Sequence, residues 1–381
     1  MAGSGAITAD ARARSDASAD AAHRTALDGI RALAIAGVML VHAGAPGARS
    51  GWVGVDLFFV LSGFLITTLL MLEWRATGAI AWLPFMVRRA LRLMPAYFLY
   101  ALFITACLWL WSGSVRSVNG GWSAVGLTGA LWGYAINFVP QGGIWNGQEL
   151  TVHLWSLAVE QQYYLVWPLV IIALAARPRA LRVVAIALAA LLTLLFVVQE
   201  PERNMLWTRG FSLVVASALA IWTTHDTALL EKRLLQRVVD AAGIVLLALL
   251  AVLPYVAGWP EARVRLAILP LLVPVFALWV ARLWHVRGHG AIRGMLQDRR
   301  LVYVGKVSYG IYLYHEAVRV GVWAWMKPLM EDWPASVGFV ARLAVYALAS
   351  FVLAAASYEL FEKKFLRVAG RFRPRRVATS A

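Results

Sequence analysis

The sequence predicts an all-α polytopic membrane protein of about ten transmembrane helices, with one further re-entrant or interfacial segment. Three observations predict it. Of the 381 residues, 61% are hydrophobic and 15% charged; a soluble domain is nearer 45–50% apolar and about 25% charged. Apolar runs follow one another from residue 29 to residue 360, and no soluble domain fits in the short connections between them. The basic excess behind the net charge of +16 lies in short clusters between those runs, the pattern of cytoplasmic loops rather than of a nucleic-acid-binding surface. The single Cys107 sits in an apolar run, which excludes an intramolecular disulfide and any cysteine-based metal site. Eighteen Trp suit membrane-interface belts as well as packing.

In chain order, residues 1–26 are rich in Ala, Ser, Asp and Arg and lack an apolar core. They are expected to be a disordered cytoplasmic tail, not a signal peptide. Apolar segments follow at 29–45, 53–73, 94–111, 124–139, 153–176, 180–199, 207–224, 239–258, 264–283, 302–326 and 336–360, eleven in all. Charge decides how many cross. With the N-terminal tail inside, the loop of Arg75, Arg88, Arg89 and Arg92 is inside too. If every later segment crossed, the clusters at Arg177, Arg179 and Arg182 and at Lys232, Arg233 and Arg237 would lie outside, with the basic C-terminus. One failed crossing between 111 and 153 brings all of them inside. The short, glycine-containing 124–139, followed by QGGIWNGQELTVH, is the segment expected to fail and to line a cavity on the outer side. The expectation is a membrane domain over 27–362, a basic cytoplasmic tail over 363–381, and both termini cytoplasmic in a cell membrane.

The chemistry lies in polar groups inside apolar helices. Each charge at the bilayer centre costs roughly 2.5–3.5 kcal/mol on insertion scales, so such residues are functional candidates. Leu27–Thr68 carries Asp28, Arg31, His42, Asp56 and Ser62. Arg31 and His42 are eleven residues apart, which places them on one helix face roughly 16 Å apart. FMVRRALRLMPAYF sets Arg89 and Arg92 on a shared face with Arg88 beside them, either a topogenic cluster or a phosphate clamp. HLWSLAVEQQYYLVWP puts His153, Ser156, Glu160, Tyr163, Tyr164 and Trp167 on one face. Glu160 is either half of a structural ion pair or a functional carboxylate. In VGKVSYGIYLYHEAVRV, Ser308, Tyr312, His315 and Arg319 form a stripe, with Glu316 beside His315 near mid-membrane. His315 either packs against a Tyr or binds substrate. SYELFEKKFLRV reads as surface ion pairs of Glu359 and Glu362 with Lys363 and Lys364. Arg209 and Glu200 lie near the outer face, and His285 and His289 lie in a glycine-containing loop. No metal site, Walker loop or dinucleotide loop is expected.

Together these groups fit group transfer across the membrane. Arg88, Arg89 and Arg92 would hold an anionic carrier, and His42 would be the general base on an acceptor hydroxyl. Asp56 or Glu160 could orient the imidazole. Ser62, Tyr164, Ser308, Tyr312 and His315 are the candidates for contacting substrate. The alternative is a proton-coupled transporter, which also uses intramembrane Arg, His and Glu; no internal repeat supports it.

At these residues the chain resembles the bacterial acyltransferase-3 family of integral-membrane O-acyltransferases. The likeness lies in LDGIRALAIAGVMLVH, GVDLFFVLSGFLIT, RRALRLMPAYF, HLWSLAVEQQYYLVWP, VGKVSYGIYLYH and, more loosely, SYELFEKKFLR. The resemblance implies a ten-helix core and a cytoplasmic acyl-CoA donor, usually acetyl-CoA. The implied acceptor is a hydroxyl of a sugar or glycan such as lipopolysaccharide or peptidoglycan. It implies that Arg31 and His42 are essential, that His42 is the base, and that Arg89 and Arg92 bind the donor. Some relatives carry an added extracytoplasmic hydrolase-like domain. This chain runs only about twenty residues past its last apolar segment, so it is expected to lack one, and a separate transferase could complete the reaction.

Overall fold

The structure is a computed structural model that describes residues 25–112, 124–139, 150–199, 204–286 and 291–372. Every regular element among them is helical. Eight helices are long and apolar enough to span: α1 (Thr25–His42), α2 (Val53–Thr77, with the 3-10 turn Arg49–Trp52 before it), α3 (Trp82–Ser112), α5 (Trp155–Leu174), α6 (Pro178–Val198), α10 (Arg233–Val256), α11 (Glu261–His285) and α14 (Ala335–Ser357). The short helix α4 (Ala124–Trp132) lies between α3 and α5. After α6, α7 (Leu206–Arg209) continues through the helical Gly210 into α8 (Phe211–Thr223). Its 18 residues are roughly 27 Å long. The short α9 (Ala228–Glu231) and α12 (Ala291–Leu296) flank α10 and α11, and α13 (Arg299–Met326) is long but rich in polar residues. Counting α7–α8 and α13, there are ten long helices among the described residues.

The segment 124–139 does not form a spanning helix. α4 has nine residues, about 14 Å, against a hydrocarbon core of about 30 Å. It then turns at Tyr134, whose φ of 52° is left-handed. Protein covers this turn: Tyr97 stacks on Tyr134 at 3.9 Å, the Tyr97 hydroxyl donates to the Leu131 carbonyl at 2.7 Å, and Gln162 Nε2 donates to the Tyr134 carbonyl at 3.2 Å. Irregular backbone at depth is tolerated on that condition. Most of the polar run that follows, residues 140–149, lies outside the described residues. So do the tail up to residue 24, Glu200, His289 and residues 373–381. The C-terminal segment expected as a tail begins instead as helix α15 (Lys363–Gly370), which follows a π-helical turn at Tyr358–Glu362 and packs on α3. The reason is amphipathicity: Ala369 is buried while Lys364 and Arg367 face out.

Burial orders the bundle. In their most apolar 18-residue stretches, α2 (67%) and α11 (56%) are mostly buried, whereas α10 (17%), α6 and α14 (22% each) present apolar flanks outward, as lipid-facing helices do. Two basic helix ends are tied to neighbouring segments. Arg75 on α2 donates to His225 after α8 at 2.8 Å, and Arg88 on α3 donates to the Phe372 carbonyl after α15. Small residues set the closest crossings, as they do between membrane helices. A Cβ on Gly305 of α13 would lie 1.8 Å from the Asp28 carbonyl oxygen of α1, and one on Gly63 of α2 would lie 2.1 Å from that of Leu213 on α8. The first crossing brings Arg31 beside α13.

Gly305→Ala is therefore expected to force α1 and α13 apart and to cost about 1–3 kcal/mol by overpacking. A lowered melting temperature in detergent, read by fluorescence-detected size exclusion, checks it. Gly321→Ala on the same helix, with nothing within 4 Å of its added methyl, should melt like the parent.

Candidate functional site

Five helices converge on one cleft. α1 contributes Arg31, α2 Phe58 and Ser62, α3 Arg89 and Arg92, α5 Ser156, Glu160 and Tyr164, and α13 Lys306, Ser308 and Tyr312. Helical spacing aims these groups together: Arg89 and Arg92 are three apart, Glu160 and Tyr164 four, and Ser308 and Tyr312 four. Arg31 is held by the Asp28 carboxylate one turn earlier. The Arg89 guanidinium lies over the rings of Phe85 at 5.7 Å and Tyr164 at 5.4 Å. Arg92 and Lys306 are exposed within the cleft. Among the described residues, no carboxylate comes within 4.0 Å of Arg89, Arg92 or Lys306. The carboxylate that lines the cleft, Glu160, instead accepts hydrogen bonds from the Ser62 and Tyr164 hydroxyls. The cleft is thus a place for a ligand bearing several negative oxygens, which guanidinium forks bind well.

Behind one wall of this cleft lies a second polar group. The wall is Tyr312, whose hydroxyl is 2.6 Å from Ser156 Oγ and donates to the His153 carbonyl at 2.9 Å. The Tyr312 ring is 5.5 Å from the His315 ring and 5.6 Å from the His153 ring. His315 in turn packs edge-on against His42 at 4.9 Å. Beside these two, Glu316 is buried to 1% side-chain exposure and lies 3.5 Å from His42 Nε2 and 3.4 Å from His315 Nε2, both distances to Oε1. Its other oxygen, Oε2, accepts from Arg319 Nε at 2.9 Å and Nη2 at 2.8 Å. His42 Nδ1 is 2.8 Å from the Val38 carbonyl, which can only accept, so the helix itself holds the proton on Nδ1 and leaves a lone pair on Nε2. His42 is the accessible member of the group, with 29% of its side chain exposed.

The structure distributes the residues singled out from the sequence over three places. Arg31, Ser62, Arg89, Arg92, Glu160, Tyr164, Ser308 and Tyr312 line the cleft. His42 and His315 form the imidazole pair beyond it. Asp56 is in neither. It is fully buried, accepting from Ser212 at 2.9 Å and from Arg209 at 3.3 Å, and Arg209 stacks on Trp155 at 5.1 Å. The expectation that Asp56 or Glu160 orients His42 is corrected: the carboxylate beside His42 is Glu316. The expectation that Arg88 shares the clamp of Arg89 and Arg92 is corrected too. Arg88 turns 100° away along the helix, toward Glu73 at 3.7 Å and the Phe372 carbonyl. Of the surface ion pairs expected near the C-terminus, Glu359 binds Lys363, but Glu362 is buried and accepts from Ser357 at 2.9 Å. His285 is 3.2 Å from Thr223 Oγ1, away from both sites. Sequence reasoning noted Glu316 without a role and passed over Lys306. The signal for Glu316 was its spacing, three residues before Arg319 on an apolar helix, which makes an ion pair within one turn.

The model of the acyltransferase domain family matches residues 24–359. Among curated proteins, the chain is similar to the peptidoglycan O-acetyltransferase OatA of Listeria monocytogenes, at 26% identity over 349 residues, covering 88% of this chain and 54% of that protein. A putative O-acetyltransferase of Staphylococcus aureus is 28% identical over 314 residues, covering 77% of this chain and 50% of that protein. The putative peptidoglycan O-acetyltransferase YrhL of Bacillus subtilis is 26% identical over 309 residues, covering 77% and 48%. The chain thus spans about half the length of the curated relatives it matches. No solved structure matches it. The family match runs through α1, both polar sites and the whole of α14, and the chain belongs to the acyltransferase-3 family of membrane proteins.

Proposed function

We propose that this protein is a membrane O-acetyltransferase that moves an acetyl group from acetyl-CoA to a hydroxyl of a cell-envelope glycan. The observation that carries the proposal is the juxtaposition of a cleft lined by Arg89, Arg92 and Lys306 with an imidazole–carboxylate group, one tyrosine ring away. The names of the relatives support peptidoglycan as the acceptor and acetyl as the group moved. The family match weighs against the transporter alternative.

In this proposal the basic face is cytoplasmic. Arg89, Arg92 and Lys306 hold the phosphates of the donor, and the thioester end reaches inward past Ser308 and Tyr312 toward His42. His42 Nε2 takes the proton of the acceptor hydroxyl as its oxygen bonds to the acyl carbon. The carbon–sulfur bond breaks, and the proton finishes on the thiolate, so the products are an ester and a thiol. Glu316 stabilises the imidazolium formed on the way, by the logic of a base and its carboxylate partner. Arg319 pairs with that carboxylate through its other oxygen, Oε2, inside an apolar bundle.

His42→Ala is expected to lower acetyl transfer by about 10²–10⁴-fold, the usual contribution of a general base, while the protein inserts and elutes as the parent does. Mass spectrometry of envelope glycans from cells with and without the variant reads it, and full acetylation would overturn the assignment. Arg89→Ala with Arg92→Ala should weaken acetyl-CoA binding by about 10–100-fold, from loss of charge-assisted hydrogen bonds of roughly 1.5–3 kcal/mol. Arg88→Ala should leave affinity unchanged. Calorimetry in detergent separates the two, and equal affinities would reduce the pair to a topology signal.

A further inference from the structure

Glu316 faces two imidazoles, and the proposed reaction uses one of them. The second has the same local geometry as the first. His315 Nδ1 is 2.6 Å from the Tyr312 carbonyl, as His42 Nδ1 is 2.8 Å from that of Val38. A carbonyl accepts only, so each neutral ring carries its hydrogen on Nδ1 and a lone pair on Nε2. Both lone pairs point at one oxygen, Glu316 Oε1, from 3.5 and 3.4 Å. Neither Oε1 nor His315 Nε2 has a hydrogen-bond partner, and both atoms are buried. Three acceptors therefore converge on one spot with no hydrogen among them, a repulsive arrangement that a single proton turns into an N–H···O bond.

We infer that His315 shares with His42 the proton released by the acceptor hydroxyl, with Glu316 Oε1 as the bridge between them. The inference rests on His42 being the base. The proton bound to His42 Nε2 leaves it for Oε1, and then leaves Oε1 for His315 Nε2. His42 is neutral again while the proton is stored, and the proton returns by the same route to the thiolate. No other reactant is needed. The groups facing the trio come from every element packed around it. Arg319 binds Oε2 from α13. The His153 ring, in the turn Val152–Leu154, is 4.9 Å from that of His315, with Nε2 engaged by the Leu313 carbonyl at 3.1 Å. Tyr312 of α13, Tyr100 of α3 and Tyr346 of α14 lie within electrostatic reach of Glu316. The ligand atoms of His42, His315 and Glu316 also lie within 4.8 Å of one another, a spacing that a divalent ion could bridge. The Arg319 cation on the same carboxylate already balances its charge, which weighs against a divalent ion there.

The test is His315→Gln, which keeps a polar side chain but holds no proton, compared with the parent and with His42→Ala in proteoliposomes supplied with acetyl-CoA and a glycan acceptor. kcat is expected to fall 10–100-fold with KM for acetyl-CoA unchanged. The acid limb of the pH profile should change, since the released proton no longer has a second imidazole to occupy. An unchanged kcat and acid limb in a variant that elutes and melts like the parent overturns the inference. A stoichiometric metal in the parent that is lost in His315→Gln overturns it as well. Activity retained in His42→Ala instead overturns the assignment of the base. His42→Ala inactive with His315→Gln at parental activity overturns the sharing alone.

Discussion

A carboxylate buried at the core of an apolar bundle must be compensated, and much of this protein's interior is arranged around that requirement at Glu316. An unpaired charge at this depth would cost several kcal/mol. Arg319, one turn along the same helix, supplies the compensation locally, so it survives any shift of neighbouring helices. It also occupies only one oxygen. The other is left for imidazoles brought by α1 and by α13 itself. Asp56 shows the contrasting solution: Arg209 and Ser212 take its two oxygens from another helix, it is fully buried, and it lies outside the cleft. That arrangement braces α2 against α8.

The two polar sites differ in how charge is balanced. In the cleft, Arg89, Arg92 and Lys306 line the space without carboxylates of their own among the described residues, and Glu160 is satisfied by hydroxyls. Such a site suits an anion. Beyond Tyr312 the balance is nearly closed, and what is missing is one proton. In the proposed reaction the cleft would take the anionic donor and the imidazole–carboxylate group would take the proton, either side of one aromatic ring. The tight α1–α13 crossing at Gly305 matters because α1 carries Arg31 into the first site and His42 into the second.

Periodicity and charge made much of this legible. The face shared by Arg31 and His42, the pair Arg89 and Arg92, and the stripe Ser308, Tyr312, His315 and Arg319 all follow from 100° per residue. The failure of 124–139 to span followed from counting basic clusters, and the structure makes it a nine-residue helix. Periodicity did not tell which Arg of three turns from the cleft, because that depends on how α3 is rotated against its neighbours.

By itself, then, the amino-acid sequence determined a ten-helix membrane bundle, its family, and the short list of polar groups worth attention, because insertion cost and helical spacing are local properties. Only the tertiary structure decided who pairs with whom. Ser62 meets Glu160, Asp56 meets Arg209, and His42 meets Glu316 across most of the chain's length. Each pairing is set by helix rotation and by close backbone crossings such as Gly305 on Asp28, and neither leaves a periodic trace in the sequence.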